Sequence, residues 1–303
     1  MSHEPSMSRD PVVIGEAEAA GWIESGMTIA IGGFILSSHP MAMVRAIIRR
    51  GVRDLTVIGA ASAGLEIDLL IGAGCVKKLI TAYVGGEAVA PIGPLFKAAA
   101  EAGTLDLWEC DESIFYAGLR AGAQGMPSMP VFGLQGTSYP ELNPDLVPYA
   151  DPITGQTVIA VPAIRADVAI LHAAQADPFG NVQFVGTGFG DRALYNCADR
   201  TLVQVEKIVP VEETRRNPAA TAIPYAHGIV KAPYGSHPFA SPGFYLEDSV
   251  HLAEYVAAAR GFARSKDRSE LDAYLARYAT GPAAHEDYLD AIGIRRLLSL
   301  SEY

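Results

Sequence analysis

The sequence predicts an α/β fold: a layered, open and mostly parallel sheet flanked by helices, with further helices at the C-terminal end. Three observations carry this reading. Helical and strand periods alternate almost throughout, the pattern of helices packed onto a parallel sheet. Half of the 303 residues are hydrophobic and 19% are charged, which is a globular composition that fits one large α/β domain. Strand-like runs also end repeatedly in glycine-rich turns, and in open α/β sheets ligands sit at those carboxyl ends.

The elements follow in order. Ile14 to Ser25 reads as a short amphipathic helix, and Met27-Thr-Ile-Ala-Ile31 as a buried strand ending in Gly32-Gly33-Phe34. Pro40 opens a helix through Ile47 and Ile48 that stops at Gly51, the usual places for the two residues. Leu55 to Ile58 is the next strand and ends in Gly59 through Gly64. Glu66 to Ala73 reads as helix and Lys78 to Val84 as strand; Leu95 to Ala102, Leu105 to Trp108 and Ile114 to Gln124 repeat the unit. Residues 133–155 are less regular, rich in Gly, Pro, Asn and Tyr, and read as a surface loop or an excursion over a site. Strands return at Thr157 to Val161 and Val168 to Ala173, a helix near Arg192 to Ala198, and strands at Leu202 to Val205 and Gly228 to Lys231. From about Leu246 the chain reads as three helices and a short apolar tail. No internal repeat or linker is evident, so residues 1–13 are expected to be a flexible N-terminus and 14–303 one domain.

The net charge of −11 argues against nucleic acid or an anionic membrane as a partner. The opening residues hold no apolar core of signal-peptide length, and no run of about 18 apolar residues could span a bilayer. A cytoplasmic protein is expected. Abundant Gly and Ala with few charges suggest a face covered by another subunit. Cys75, Cys110 and Cys197 form no C-x-x-C pair and read as small buried hydrophobes, and the seven histidines show no metal-ligand spacing.

Gly32-Gly33, Gly59 to Gly64 and Gly133 to Gly136 all follow strands, where missing side chains let backbone N–H groups approach an anion or a carbonyl oxygen. The plainer account of each is a turn. No dinucleotide fingerprint and no P-loop is present, and Ala60-Ala61-Ser62-Ala63-Gly64 misses the nucleophile elbow by the place of its glycine. His237, in Tyr234-Gly-Ser-His-Pro238, is either a structural histidine in a turn or part of a site. Lys77, Lys78, Arg45, Arg49 and Arg50 are basic candidates for phosphate, though the helical spacing of the arginines reads better as a solvated face.

Taken together, several blocks resemble one family. They are Gly26 to Phe34 with His39-Pro40 beyond, Leu69-Leu-Ile-Gly-Ala-Gly-Cys-Val-Lys77, Asp167 to Val182 with its Asp-Pro-Phe-Gly-Asn core, Val230 to Pro238, and His285-Glu-Asp-Tyr-Leu289. Their order and spacing resemble class I coenzyme A transferase α subunits from about residue 14 to 300. Chain length and the last two blocks favour the glutaconate CoA-transferase branch. The resemblance implies the open superfold shared with sugar-phosphate isomerases. It also implies ping-pong transfer of CoA from an acyl-CoA to a carboxylic acid, with coenzyme A as part of the substrate and no tightly bound cofactor. In two-subunit members the nucleophilic glutamate lies in a Ser-Glu-Asn-Gly motif of the β chain, and this sequence has no such motif. A β partner, in an α2β2 heterotetramer, is therefore expected. The α chain would supply one wall of the acyl pocket and part of the oxyanion environment. Gly32, Gly33 and Phe34 would line that wall, with Gln135, Gly136 and Tyr234, Gly235, Ser236 and His237 nearby as substrate-binding positions.

One departure concerns Glu112, in Glu109-Cys-Asp-Glu-Ser113, where such transferases usually carry glutamine. It reads either as a carboxylate favoured at a helix N-terminus or as a catalytic group. The α subunit of the cholesterol ring-cleaving CoA hydrolase is similar and carries an acidic residue there. This opens an alternative in which Glu112 is a general base in a CoA-ester hydrolase. A metabolite-sensing domain on the same superfold is the remote third reading; the segment before residue 14 holds no helix-turn-helix.

Overall fold

The computed structural model describes residues 10–301. The chain runs through α1 (Glu16–Ala20), β1 (Thr28–Ile31), α2 (Met41–Arg49), β2 (Leu55–Ile58), α3 (Leu65–Gly72), β3 (Val76–Ile80), α4 (Pro94–Glu101), β4 (Asp106–Trp108) and α5 (Glu112–Ala123). It continues through β5 (Ser128–Val131), α6 (Tyr139–Leu142), β6 (Val147–Ala150), β7 (Thr157–Pro162), β8 (Ala166–Ala176), β9 (Val182–Gln183), α7 (Asp191–Asn196) and β10 (Ala198–Ile208). After α8 (Val211–Arg216), β11 (Thr221–Ile223) and β12 (Gly228–Lys231), it closes with α9 (Ser249–Ser265), α10 (Ser269–Leu275), α11 (His285–Ile292) and α12 (Ile294–Ser299).

The nine-stranded main sheet is parallel through β4-β3-β2-β1-β8-β10-β12. Alternation of side chains along β1 explains its place in the middle: Ile29 and Ile31 enter the core on one face, Ala30 the core on the other. The first face is covered by α2, α3, α4, α9 and α10, with Met43, Ile47, Ile67, Leu70 and Leu271 fully buried. The second is covered by α5 and α7, through Ile114, Phe115 and Leu194. Between β1 and β8 the order of connection reverses, which opens a crevice at their carboxyl ends.

β8 outlasts β1. Its residues 168–170 pair with β1, while Gln175 and Ala176 pair with β9 in the antiparallel sense. On that edge residues 171–174 have no strand partner among the described residues, and β9 with β11 forms a raised rim beyond the gap.

Thr157–Val161 is a strand, as expected, but it lies outside the main sheet: β7 pairs antiparallel with β5 and β6 in a separate three-stranded sheet. This sheet also takes in part of 133–155, so the irregular stretch contains β6 and the short α6. The strand expected at Lys78 to Val84 starts and ends earlier, at Val76–Ile80, since Thr81 turns its hydroxyl onto Ala60 O and Tyr83 O. The expected flexible leader lies mostly outside the described residues; within them Val12 donates to Pro178 O and Val13 bridges Ile229. No described helix is long and apolar enough to cross a membrane.

Candidate functional site

The loop between β1 and α2 is built on close backbone approach. A Cβ on Gly32 would lie 2.6 Å from Asp191 Oδ1 and 2.6 Å from Leu171 Cδ2, so no larger residue fits against β8. Gly33 has φ +111°, and a Cβ there would meet His39 Nδ1 at 2.4 Å. Ile35 and Ser38 take left-handed φ values of 47° and 61°, a backbone strain that a β-branched residue accepts only where surroundings enforce it. The enforcing contacts are Phe34 N–H to Ser37 O and back, and Ile35 N–H to Ser62 O.

Beneath the loop lies fully buried His39. Its Nδ1 is 3.2 Å from Gly32 O and 3.2 Å from Glu66 Oε2, and its Nε2 is 3.2 Å from Ile35 O. Glu66 Oε1 accepts the Gly64 N–H, whereas Oε2 faces the ring without hydrogen-bond geometry. The second buried carboxyl is Asp191, the first residue of α7: Oδ1 accepts the Gly33 N–H at 3.0 Å, and Oδ2 is buried without a partner. Burial pushes its carboxyl up to about 7 against the Gly33 bond and His39, which pull it down. Above, Phe34 stacks on Phe189, with centroids 4.6 Å apart and rings 4° from parallel. Asp191 was not legible as a site residue, because nothing in Gly188-Phe-Gly-Asp-Arg192 marks it except a partner distant in sequence.

Gly32, Gly33 and Phe34 thus meet at the crevice. Their N–H groups are all engaged, with Ile170 O, Asp191 and Ser37 O respectively, so they offer shape rather than oxyanion donors.

Glu112 stands at the neighbouring mouth. Asp111 caps α5 by accepting the Ile114 N–H at 2.8 Å, which places Glu112 in the first turn with the helix dipole. Glu112 is exposed and accepts the Ser62 hydroxyl at 2.9 Å, linking the turns after β2 and β4. With Tyr116, Arg120 and Met129 it lines an open cavity of about 500 Å³. The Tyr116 hydroxyl is made less acidic by burial first, and then by Glu112 and Asp191, so both carboxyls act on it.

The remaining positions separate. Gln135 Nε2 donates to Thr157 O at 2.6 Å and Gly136 turns with φ +79° in open space, both in the turn after β5. Gly235, Ser236 and His237 are buried supports behind the loop. Gly235 O accepts the Ala42 N–H, and Ser236 Oγ accepts the His39 N–H. His237 has no exposed surface, and both ring nitrogens are engaged, by Tyr288 OH at 2.6 Å and Asp248 Oδ2 at 3.1 Å. Tyr234 is half-buried on Tyr245, and its N–H reaches Glu206 Oε2. Glu206 joins His172 and Gln204 in a polar cluster that extends this support.

Of the three arginines expected on a solvated face, Arg50 is exposed, while Arg45 and Arg49 are not. Arg45 is only 2% exposed, and its guanidinium lies over the Tyr288 ring. Arg49 pairs with Glu16, and Arg50 donates to Ala20 O and Ile23 O. All three cysteines are buried and unpaired, and no group of three potential ligands could hold a metal among the described residues.

A family model described as Coenzyme A transferase matches residues 16–231. The chain is 34% identical to a glutaconate CoA-transferase subunit of Acidaminococcus fermentans, over 93% of this chain and 91% of that one. It is 34% identical to the cholesterol ring-cleaving hydrolase IpdA subunit of Mycobacterium tuberculosis, over 80% of this chain and 86% of the relative. The crystal structure of glutaconate coenzyme A-transferase from Acidaminococcus fermentans superposes with a TM-score of 0.88 at 32% identity, covering 96% of each chain.

Proposed function

The chain belongs to the coenzyme A transferase family, and on that premise we propose that it is the α-type half of a two-chain enzyme moving coenzyme A from an acyl thioester to a carboxylic acid. The observation that carries this is the likeness, over 93% of its length, to a glutaconate CoA-transferase subunit, without a Ser-Glu-Asn-Gly segment in this sequence. The nucleophile is a glutamate of the β-type partner. It attacks the thioester carbonyl, the C–S bond breaks, and an acyl anhydride and CoA thiolate result. The thiolate then attacks the glutamyl carbonyl and releases the first acid, and an acceptor carboxylate runs the sequence in reverse.

This chain contributes shape and dryness. The Gly32-Gly33-Phe34 wall is rigid, excludes water on one side, and leaves oxyanion donation to the partner, since its own N–H groups are engaged. Coenzyme A is bound as substrate, residues 14–303 act as one domain, and the assembly is a cytoplasmic α2β2 heterotetramer. Co-expression with a β-type partner, followed by borohydride trapping and mass spectrometry with an acyl-CoA panel, tests it. A trapped β-chain glutamyl thioester and CoA on an added carboxylate are expected; no such adduct with any thioester would overturn it.

A second reading is favoured by Glu112 alone. An exposed carboxylate hydrogen-bonded by Ser62, at a cavity mouth, is placed to accept a proton from water. In that case the complex hydrolyses a cyclic CoA ester, no adduct is trapped, and Glu112→Gln abolishes the release.

A further inference from the structure

The loop after β1 and the loop before α7 are joined twice, once by the Gly33–Asp191 hydrogen bond and once by the Phe34–Phe189 stack. Both rings remain 37% exposed, so the stack is not a core contact but a flat apolar surface at the rim of the crevice. Both loops are also strained: Ile35 has φ 47° and Phe189 φ 41°, values a branched or bulky residue adopts only when held. Asp191 Oδ2 is buried with no partner, so the residue keeps a desolvated oxygen in order to hold Gly33 through the other.

We infer that Phe189 and Asp191 form a clasp on Phe34 that sets acyl selectivity, with the acyl group lying against the paired rings and Asp191 acting as a positioning residue. The inference rests on the proposed transferase reading and names its substrate class: acyl groups with an extended or flat hydrocarbon portion. Stacked phenyl faces gain from hydrocarbon contact and offer no counter-charge to a second carboxylate. Asp191 touches no reacting atom. It fixes the Gly33 peptide, and thereby the direction in which Phe34 leaves the loop. Burial pushes its carboxyl up to about 7, so a neutral fraction persists near neutral pH, and asparagine reproduces both its shape and its acceptor oxygen.

The test uses the complex with its β-type partner and a series from acetyl-CoA to octanoyl-CoA. Phe189→Ala is expected to lower kcat/KM for octanoyl-CoA about tenfold more than for acetyl-CoA, the scale of a lost hydrocarbon contact. Asp191→Ala should show the same selective loss, and Asp191→Asn should restore the wild-type ratio. Equal losses for all thioesters, or an unchanged ratio in Phe189→Ala, would overturn the clasp. Weaker assembly of the two chains with selectivity intact would overturn it too, by making the rings an interface. Phe189→Leu keeps the outcome readable if Asp191→Ala does not fold. A complex that only hydrolyses thioesters would sink the transferase reading, while the octanoyl-to-acetyl ratio would still decide the clasp.

Discussion

The backbone N–H of Gly33 donates to Asp191 Oδ1 at 3.0 Å, closing a contact between residues 158 positions apart. One end is a loop that only glycine can trace, and the other is a carboxyl with nowhere else to go. The geometry of the crevice therefore depends on a bond that neither segment could form alone.

Gly33→Ala should be far more damaging than an ordinary glycine replacement. The added Cβ meets His39 Nδ1 at 2.4 Å, and φ +111° lies outside what alanine tolerates. A loss of about 2–4 kcal/mol is expected from clash and strain together. Gly136→Ala, at φ +79° with nothing within 4 Å, should lose only about 1–2 kcal/mol. Urea midpoints of the two variants measure the difference; equal midpoints would show that the loop yields.

Asp68 ties three elements and should behave as a structural keystone. Its Oδ1 accepts the Leu95 and Phe96 N–H groups at the start of α4, and its Oδ2 accepts the Tyr255 hydroxyl from α9 at 2.6 Å. Asp68→Ala leaves those buried donors unsatisfied and should lower stability by about 3 kcal/mol, read by thermal denaturation. Asp68→Asn, which retains an acceptor, should lose less.

Replacing Arg45 should separate charge from geometry. Its guanidinium donates to His237 O, reaches His285 Nδ1 and lies 3.5 Å from the Tyr288 centroid. Arg45→Lys keeps the charge but cannot span these partners, so most of the effect of Arg45→Ala, about 3 kcal/mol, should already appear in the lysine variant. Calorimetry of both proteins decides this.

Stability against pH should be the resultant of opposed titrations. Burial depresses His251 and His285 to about 3, so the stability they support is present above about pH 6.5 and is lost as pH falls toward 3. Burial raises Asp68 to about 6 and Asp191 to about 7, so their contribution is fullest below about pH 4 and is lost as pH rises through those values. Between pH 4.5 and 6 the two sets offset each other. Asp191→Asn removes one opposing proton, and its stability should fall with decreasing pH more steeply than that of wild type by about 1.4 kcal/mol per pH unit. Parallel curves would mean that Asp191 titrates normally.

Much of the fold was legible because its main sheet is built from periodic segments with glycine and proline at their ends. Met27 to Ile31, the helix opened by Pro40 and Gly228 to Lys231 stand close to where their patterns place them. In the small sheet only β7 was legible, since Pro130 and Pro148 sit inside β5 and β6 and mask their alternation. At the site, Gly32 to Phe34 and Glu112 could be read as positions, but not the direction of their hydrogen bonds. Asp191 and Phe189 gain meaning only from a loop that folds back on them, and a buried Ser236 or His237 looks the same in sequence as an exposed one.

The gap on the edge of β8 between β1 and β9 works as a depth gauge. Strand residues advance about 3.3 Å each and alternate faces, so lengthening β8 by one would turn every later side chain inside out. Only paired insertions preserve the pleat, and each pair would lift the rim by about 7 Å. Crevices on this scaffold can therefore deepen only in discrete steps, while finer adjustment falls to the two loops joined by Gly33 and Asp191.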